Sequence, residues 1–223
     1  MKLLLHPGTK SQTDGFMAKP SHGLLLEGPA GSGKFTLSKY LCSQLLGLDY
    51  EQIANNPYVF VIEAENNTIA IDHIRQAQRF VRLKTPGEGS LRRALIFRAG
   101  NITLEAQNAF LKMLEEPPED TIILLNTPTA LALLPTIRSR VQIIRVMPAG
   151  AQEAERYFES KGHNESEITK AYNLSNGRVG LMAAILSGDE THPLLYYVNE
   201  AKALLGATTF DRLAGLDKFS KDR

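Results

Sequence analysis

The stretch Gly28-Pro29-Ala30-Gly31-Ser32-Gly33-Lys34-Phe35-Thr36 constrains this chain more than any other. The apolar run Leu24-Leu25-Leu26 precedes it, and Leu37 to Leu46 after it reads as a helix. Strand, glycine-rich turn and helix make the setting of a phosphate-binding loop. Glycines let successive backbone N–H groups converge on an anion, and the helix N-terminus adds partial positive charge. Gly28, Gly31, Ser32, Gly33, Lys34 and Thr36 are therefore candidate nucleotide-binding residues, with Lys34 reaching the outer phosphates as a mobile cation. One position departs from the pattern. A Ser or Thr directly after the lysine ligates magnesium, and here that position is Phe35. Thr36 does not replace it, because one residue along a helix turns a side chain by about 100°. Hydrolysis, binding alone and a purely architectural loop all remain open at this point.

The chain has 223 residues, enough for one large domain or two smaller ones with a real core. Its net charge is +1, so attraction to nucleic acid has to come from a local patch. A single Cys42 excludes an internal disulfide and a multi-cysteine zinc site, so no zinc is expected. It also suits a reducing cytoplasm, the expected location. Met1 to Leu5 is too short an apolar run for a signal peptide. No run approaches the roughly 18 apolar residues of a membrane span, so no membrane partner is expected.

Residues 6–22, with Pro7, Gly8, Gly15 and Pro20, read as a polar, turn-rich lead-in. Apolar runs at Leu24–Leu26, Tyr58–Ile62, Ala94–Phe97, Thr121–Asn126 and Val141–Val146 are the expected strands. Between them, Ile71, Ile74, Ala77 and Val81 form one helical stripe. Ala106, Ala109, Phe110 and Met113 form another, with Thr103 as its N-cap and Pro117-Pro118 as its stop. Asn66-Asn67 marks a turn and Pro86 to Gly89 an exposed loop. Strands alternating with helices predict a parallel sheet covered on both faces. Pro148-Ala149-Gly150 reads as a domain boundary. Three short helices are expected beyond it, over 151–161, 165–174 and 179–186, with Gly162 and Gly177 at the breaks. A further helical pattern begins near Pro193 and runs through Leu204 toward Phe219.

Hydrolysis of a nucleotide needs acidic residues at the tip of the strand beside the phosphate loop. That strand is expected to be Ala94–Phe97, and it runs into Phe97-Arg98-Ala99-Gly100 without a carboxylate. Arg98 sets a cation where a general base would stand. Glu63 and Glu65 after the second strand and Asn126 after the fourth are poor substitutes. Intrinsic ATP hydrolysis is not expected.

The run Asn108-Ala109-Phe110-Leu111-Lys112-Met113-Leu114-Glu115-Glu116-Pro117-Pro118 resembles the N-A-L-L-K-x-L-E-E-P-P signature of bacterial DNA polymerase III clamp-loader subunits, members of the AAA+ family. Pro135-Thr136-Ile137-Arg138-Ser139-Arg140 follows and is similar to that family's T-[IL]-x-S-R-C motif. The resemblance covers the chain from His6 onward. It implies an α/β P-loop AAA+ module, a five-stranded parallel sheet flanked by helices, followed by a small all-α lid. Its expected divisions are 1–148 for the P-loop AAA+ domain, 149–188 for the helical lid and 189–223 for the start of an incomplete helical collar. Aligned on Asn108, the family's Walker B acids fall on Phe97 and Arg98. The nucleotide-contacting arginine of the lid falls on Gly180, with Arg178 two residues early. These losses make the chain most similar to the delta-prime type, although the zinc-binding cysteines are absent and Val141 replaces a cysteine.

The resemblance implies a non-hydrolysing accessory subunit of DNA polymerase III in DNA replication. Its partners would be the other clamp-loader subunits of a hetero-oligomeric ring, with the sliding clamp and primer-template DNA reached through the complex. It would hold ATP or ADP without productive magnesium. Arg140 is then the catalytic candidate, an arginine finger acting in trans on phosphates bound by the neighbour. A planar, permanently charged guanidinium suits charge developing on a phosphoryl group. The plainer reading of Arg140 is a surface ion pair, as for Arg138 and Arg145. The alternatives for the whole chain are an active gamma-type DNA-dependent ATPase and, more weakly, a stand-alone nucleotide kinase. Glu115-Glu116, at a helix end, reads as packing or capping rather than catalytic. Arg79, Arg82, Lys84, Arg92 and Arg93 make a basic region that either faces DNA phosphates or is a solvated face.

Overall fold

In chain order the elements are α1 (Pro7–Ala18), β1 (Gly23–Glu27), α2 (Lys34–Leu46), β2 (Val59–Glu63), β3 (Thr68–Ile69), α3 (Ile71–Val81), β4 (Arg93–Arg98) and β5 (Asn101–Ile102). They continue as α4 (Leu104–Glu115), β6 (Thr121–Thr127), α5 (Pro135–Arg138), β7 (Gln142–Arg145), α6 (Ala151–Glu159), α7 (Glu165–Ser175) and α8 (Val179–Ser187). This computed structural model describes residues 2–63, 68–82, 93–98, 101–118, 120–189, 194–196, 199 and 206. The Asn66-Asn67 turn, the Pro86–Gly89 loop and most of the 189–223 segment lie outside the described residues.

Five strands form one parallel sheet in the order β2-β4-β6-β1-β7. Alternation along the strands builds a core on each face. Leu25, Leu95, Phe97, Ile123 and Leu125 point to the side covered by Ile74, Ala77, Phe110 and Met113 of α3 and α4. Leu24, Leu26, Ala94, Ile96, Ile122 and Leu124 point to the other side, against Leu37, Leu41 and Cys42 of α2 and Phe16 of α1. Burial pushes the Cys42 thiol up to about 12, so it packs as a small hydrophobe. Thr103 caps α4 as expected, accepting from Ala106 N–H at 3.2 Å.

The lead-in at residues 6–22 is corrected: most of it is helix α1. Pro7 stands at the first helical position, where its missing N–H costs nothing, and His6 Nδ1 accepts from Gly8 N–H at 3.1 Å. The helix seals the β7 edge through polar groups. Thr9 Oγ1 donates to Arg145 O at 2.8 Å, and Gln12 Oε1 accepts from Arg145 N–H at 3.0 Å. Its buried residues are Thr9, Thr13 and Phe16, so it has no apolar stripe for periodicity to detect. The short parallel pair β3–β5 was also not anticipated; two-residue strands carry no pattern.

Beyond Pro148, Ala154 and Phe158 of α6, Ile168 of α7 and Met182 of α8 form a separate apolar cluster. Leu4 joins this cluster while Leu3 and Leu5 pack against the sheet core, so the N-terminal residues run between the two. The breaks have the expected left-handed glycines, with φ of 93° at Gly162 and 71° at Gly177.

Arg93 does not belong to a basic surface. Its side chain is only 7% exposed and pairs with Asp120, 14% exposed, at 2.9 Å. It also donates to Phe80 O and Val81 O at 3.1 and 2.6 Å, tying the end of α3 to the start of β4. Arg79 and Arg82 are exposed, and Lys84 and Arg92 lie outside the described residues. Removing one partner of a buried pair leaves the other charge uncompensated. Asp120→Ala is expected to destabilise the chain by about 3–5 kcal/mol in urea unfolding. Asp72→Ala, which breaks the exposed Arg75 pair at 2.9 Å, is expected to cost about 1 kcal/mol or less. Equal losses from the two variants would contradict the assignment.

Candidate functional site

The phosphate loop leaves the end of β1, which is fixed from both sides. Gly28 N–H donates to Thr127 O of β6 at 3.2 Å, and Val146 N–H, just past β7, donates to Glu27 O at 2.7 Å. The Glu27 carboxylate accepts from Ala130 N–H at 2.8 Å and lies 3.4 Å from Arg145 Nε. Gly33, with φ of 88°, turns the chain into α2, so helix and loop meet as a phosphate cradle requires. Lys34 turns back into the loop. Its Nζ donates to Gly28 O at 2.5 Å and Pro29 O at 2.8 Å and lies 3.4 Å from Ser32 Oγ, which together engage all three ammonium hydrogens. Burial lowers the Lys34 pKa from 10.5 to about 8. Thr36 lies in the same first helical turn, half-buried.

The metal side is built differently. The guanidinium of Arg98 stacks on the ring of Phe35, 4.5 Å from its centroid, and bonds Glu63 Oε1 at 2.8 Å. Glu63 and Arg98 are register partners on adjacent strands β2 and β4. Lys39 Nζ lies 5.0 Å from the same ring. Asn126, at the end of β6, is turned inward, donating to Phe97 O at 3.1 Å and accepting from Ser38 Oγ at 2.8 Å. The backbone cradle and Lys34 fit a phosphate group. The set around Phe35 does not fit magnesium: it offers an aromatic face and a cation where a hydroxyl and a carboxylate are needed.

The helices beyond Pro148 close on this loop. Leu181, in the first turn of α8, donates its N–H to Gly31 O at 2.9 Å. The N-cap residue Arg178 makes no side-chain cap bond. The loop carbonyl therefore satisfies one of the helix's orphan amides. A Cβ at Gly180 would stand 2.8 Å from Gly31 O and 3.2 Å from Gly33 N, so no side chain fits there without a shift. A Cβ at Gly31 would meet Leu194 Cδ1 at 2.9 Å and Leu181 Cβ at 3.0 Å. Arg178 donates to Ser175 O at 2.7 Å and Ala30 O at 3.3 Å, engaging the loop's backbone.

Arg140 lies apart from this loop, just after α5. Its Nη2 donates to Glu115 Oε1 at 2.8 Å, and its Nη1 donates to Thr136 O at 3.0 Å. The Arg145 side chain, 77% exposed, has its Nε 3.4 Å from Glu27 Oε2, which matches the ion-pair reading. Arg138 is half-buried, and its Nε has no hydrogen-bond partner among the described residues. Sequence reasoning missed the Glu115–Arg140 pair and the Glu63–Arg98–Phe35 stack. The second was traceable in principle, because parallel pairing of the second and third expected strands brings Glu63 beside Arg98.

The family described as DNA polymerase III, delta subunit, matches residues 12–149. The chain is 34% identical over 158 residues to the DNA polymerase III subunit delta' of Pseudomonas aeruginosa, covering 63% of this chain and 48% of that protein. It is 28% identical over 185 residues to the Escherichia coli subunit of the same name, covering 75% and 55%. A replication factor C small subunit of Aeropyrum pernix is 30% identical over 189 residues, covering 78% and 56%. The chain thus spans about half the length of the curated relatives it matches. Two Thermotoga maritima structures share the fold. One is a DNA polymerase III gamma-subunit-related protein with TM-score 0.56 and 21% identity, covering 95% of this chain and 77% of that one. The other is a RuvB variant with TM-score 0.58 and 13% identity, covering 83% and 62%. By sheet order and these neighbours the fold is a P-loop AAA+ module. With the family matched over residues 12–149, this chain belongs to the DNA polymerase III delta-subunit family and is delta-prime-like.

Proposed function

We propose that the chain is a non-hydrolysing clamp-loader subunit that serves DNA replication by completing a neighbour's ATPase site. The observation that carries this reading is the Phe35–Arg98–Glu63 stack, which fills the place where hydrolysis would need a metal ligand and a carboxylate. Arg140 supports the second half of the reading, since its guanidinium is held at two points on the surface rather than buried. The division of labour is then physical: one subunit binds and hydrolyses, and the adjacent one supplies the cation that meets charge developing on the transferred phosphoryl group. An active gamma-type ATPase is disfavoured by the same stack.

In this proposal residues 1–148 are the AAA+ domain, 149–188 the lid and 189–223 the beginning of a collar. The partners are other clamp-loader subunits, with the sliding clamp and primer-template DNA engaged through the complex in the cytoplasm. Gly28, Gly31, Ser32, Gly33, Lys34 and Thr36 form a cradle suited to ATP or ADP without productive magnesium. Phosphate binding by Lys34 requires its ammonium to leave the loop carbonyls it now holds.

Two outcomes are expected. In a reconstituted loader carrying the full-length chain, Arg140→Ala leaves the complex intact by gel filtration and lowers hydrolysis at the site it completes by about 10³-fold or more. An unchanged rate at that site contradicts the trans role. The second concerns Lys34, whose pKa falls from 10.5 to about 8 on burial. Between those values the unfolded chain binds more protons than the folded one, so stability rises with pH across that window. Urea midpoints are expected to climb from pH 8 toward 10.5 more steeply than in Lys34→Met. Parallel slopes contradict the buried, loop-bound lysine.

A further inference from the structure

Two side chains meet at the junction of α4 and α5, and the helix geometry makes one of them unexpected. Glu115 is the last residue of α4, where the helix carries its partial negative charge and an acidic side chain is disfavoured. Helix stability alone does not account for a carboxylate there, nor does capping, since the C-cap contact is Glu116 N–H to Lys112 O at 3.2 Å. Glu115 instead reaches Arg140 Nη2 at 2.8 Å. The pair is not buried, with side chains 47% and 35% exposed, so its worth to folding is small.

The surroundings of Arg140 limit where its guanidinium can point. Pro135 opens α5, and Arg140 N–H donates to Ile137 O at 3.0 Å, which sets the backbone. Gln107 of α4 holds the approach to α5, accepting from Leu134 N–H at 2.7 Å and donating to Ala132 O at 3.2 Å. Helix α4 therefore fixes both the segment that carries Arg140 and, through Glu115, the side chain itself. A guanidinium has five N–H donors in a rigid planar fork. Thr136 O and Glu115 take one from each terminal nitrogen, and three have no partner among the described residues.

We propose that Glu115 is the positioning residue for Arg140: it orients the guanidinium so that its three remaining N–H groups face the phosphoryl group on the neighbouring subunit. This rests on the trans-arginine reading above. Glu115 touches neither nucleotide nor reacting atoms; it acts through Arg140 alone. A long, flexible arginine loses less freedom on meeting its target when one edge is already held, and misplacement by about 1 Å costs up to about 10²-fold in rate.

The test uses the loader reconstituted with the full-length chain, with ATP hydrolysis measured at the completed site for Glu115→Ala, Glu115→Gln, Glu116→Ala, Arg140→Ala and the Glu115→Ala/Arg140→Ala double variant. Glu115→Ala is expected to lower kcat by about tenfold with KM for ATP and the thermal midpoint unchanged, since only orientation is lost. Glu115→Gln, which keeps length and an acceptor oxygen, recovers most of the rate. Glu116→Ala is unchanged, and the double variant is no slower than Arg140→Ala, because Glu115 has no route to the reaction except through Arg140. A Glu115→Ala rate equal to or above wild type, with Arg140→Ala slow, overturns the positioning role and leaves the trans arginine standing. A double variant clearly slower than Arg140→Ala also overturns it, since Glu115 would then act independently. A wild-type rate for Arg140→Ala removes the trans arginine itself, and the positioning role with it.

Discussion

The hydrogen bond from Leu181 N–H to Gly31 O, at 2.9 Å, ties the helices beyond Pro148 to the phosphate loop. A helix start leaves backbone amides without partners, and a side-chain cap is the usual remedy. Here α8 has no such cap, and the loop supplies a carbonyl instead. The close approach this needs is possible only because Gly180 has no side chain to press on Gly31 and Gly33. The loop whose amides suit a phosphate thus also presents a carbonyl to α8. Arg178 adds a second tie at Ala30, and Lys34 gives its ammonium hydrogens to the loop itself.

The same economy runs through the metal side. In an ATPase of this architecture the residue after the lysine and an acid at a nearby strand tip share a magnesium ion. That strand, β4, is not the neighbour of β1 expected from the sequence, because β6 lies between them. Phe35 and Arg98 occupy those two positions and have become partners of each other, an aromatic face against a guanidinium at 4.5 Å, with Glu63 neutralising the added charge. Neither change stands alone. Restoring a hydroxyl at residue 35 would leave Arg98 in place as a cation without its ring, and restoring an acid at residue 98 would place it beside Glu63. The positions that hydrolysis would need are therefore taken up by one packed unit, while Arg140 is held separately by Glu115 and Thr136 O.

Much of this could be read from residue order because periodicity and turn chemistry are local. The five strands, the α3 and α4 stripes, the Thr103 cap and the glycine breaks at 162 and 177 follow from spacing alone. Helix α1 did not, because it buries Thr9 and Thr13 through hydrogen bonds to β7 instead of presenting an apolar face. Arg93 was misplaced for a related reason: a basic residue between other basic residues looks solvated until Asp120, distant in sequence, is found against it. In the site, each departure from the phosphate-loop pattern was visible singly. What sequence could not convey was their contact with one another, since Phe35, Glu63 and Arg98 come from three separate elements.

The central claim is that the phosphate loop survives as a framework whose magnesium half has been converted to a stacked ion pair. The most direct measurement is titration of the full-length chain with a non-hydrolysable ATP analogue, once with excess Mg²⁺ and once with EDTA. With Phe35 and Arg98 in place of the metal ligands, the two isotherms should coincide. A tightening of about tenfold or more on adding Mg²⁺, roughly 1.4 kcal/mol of metal-dependent binding, would contradict the account.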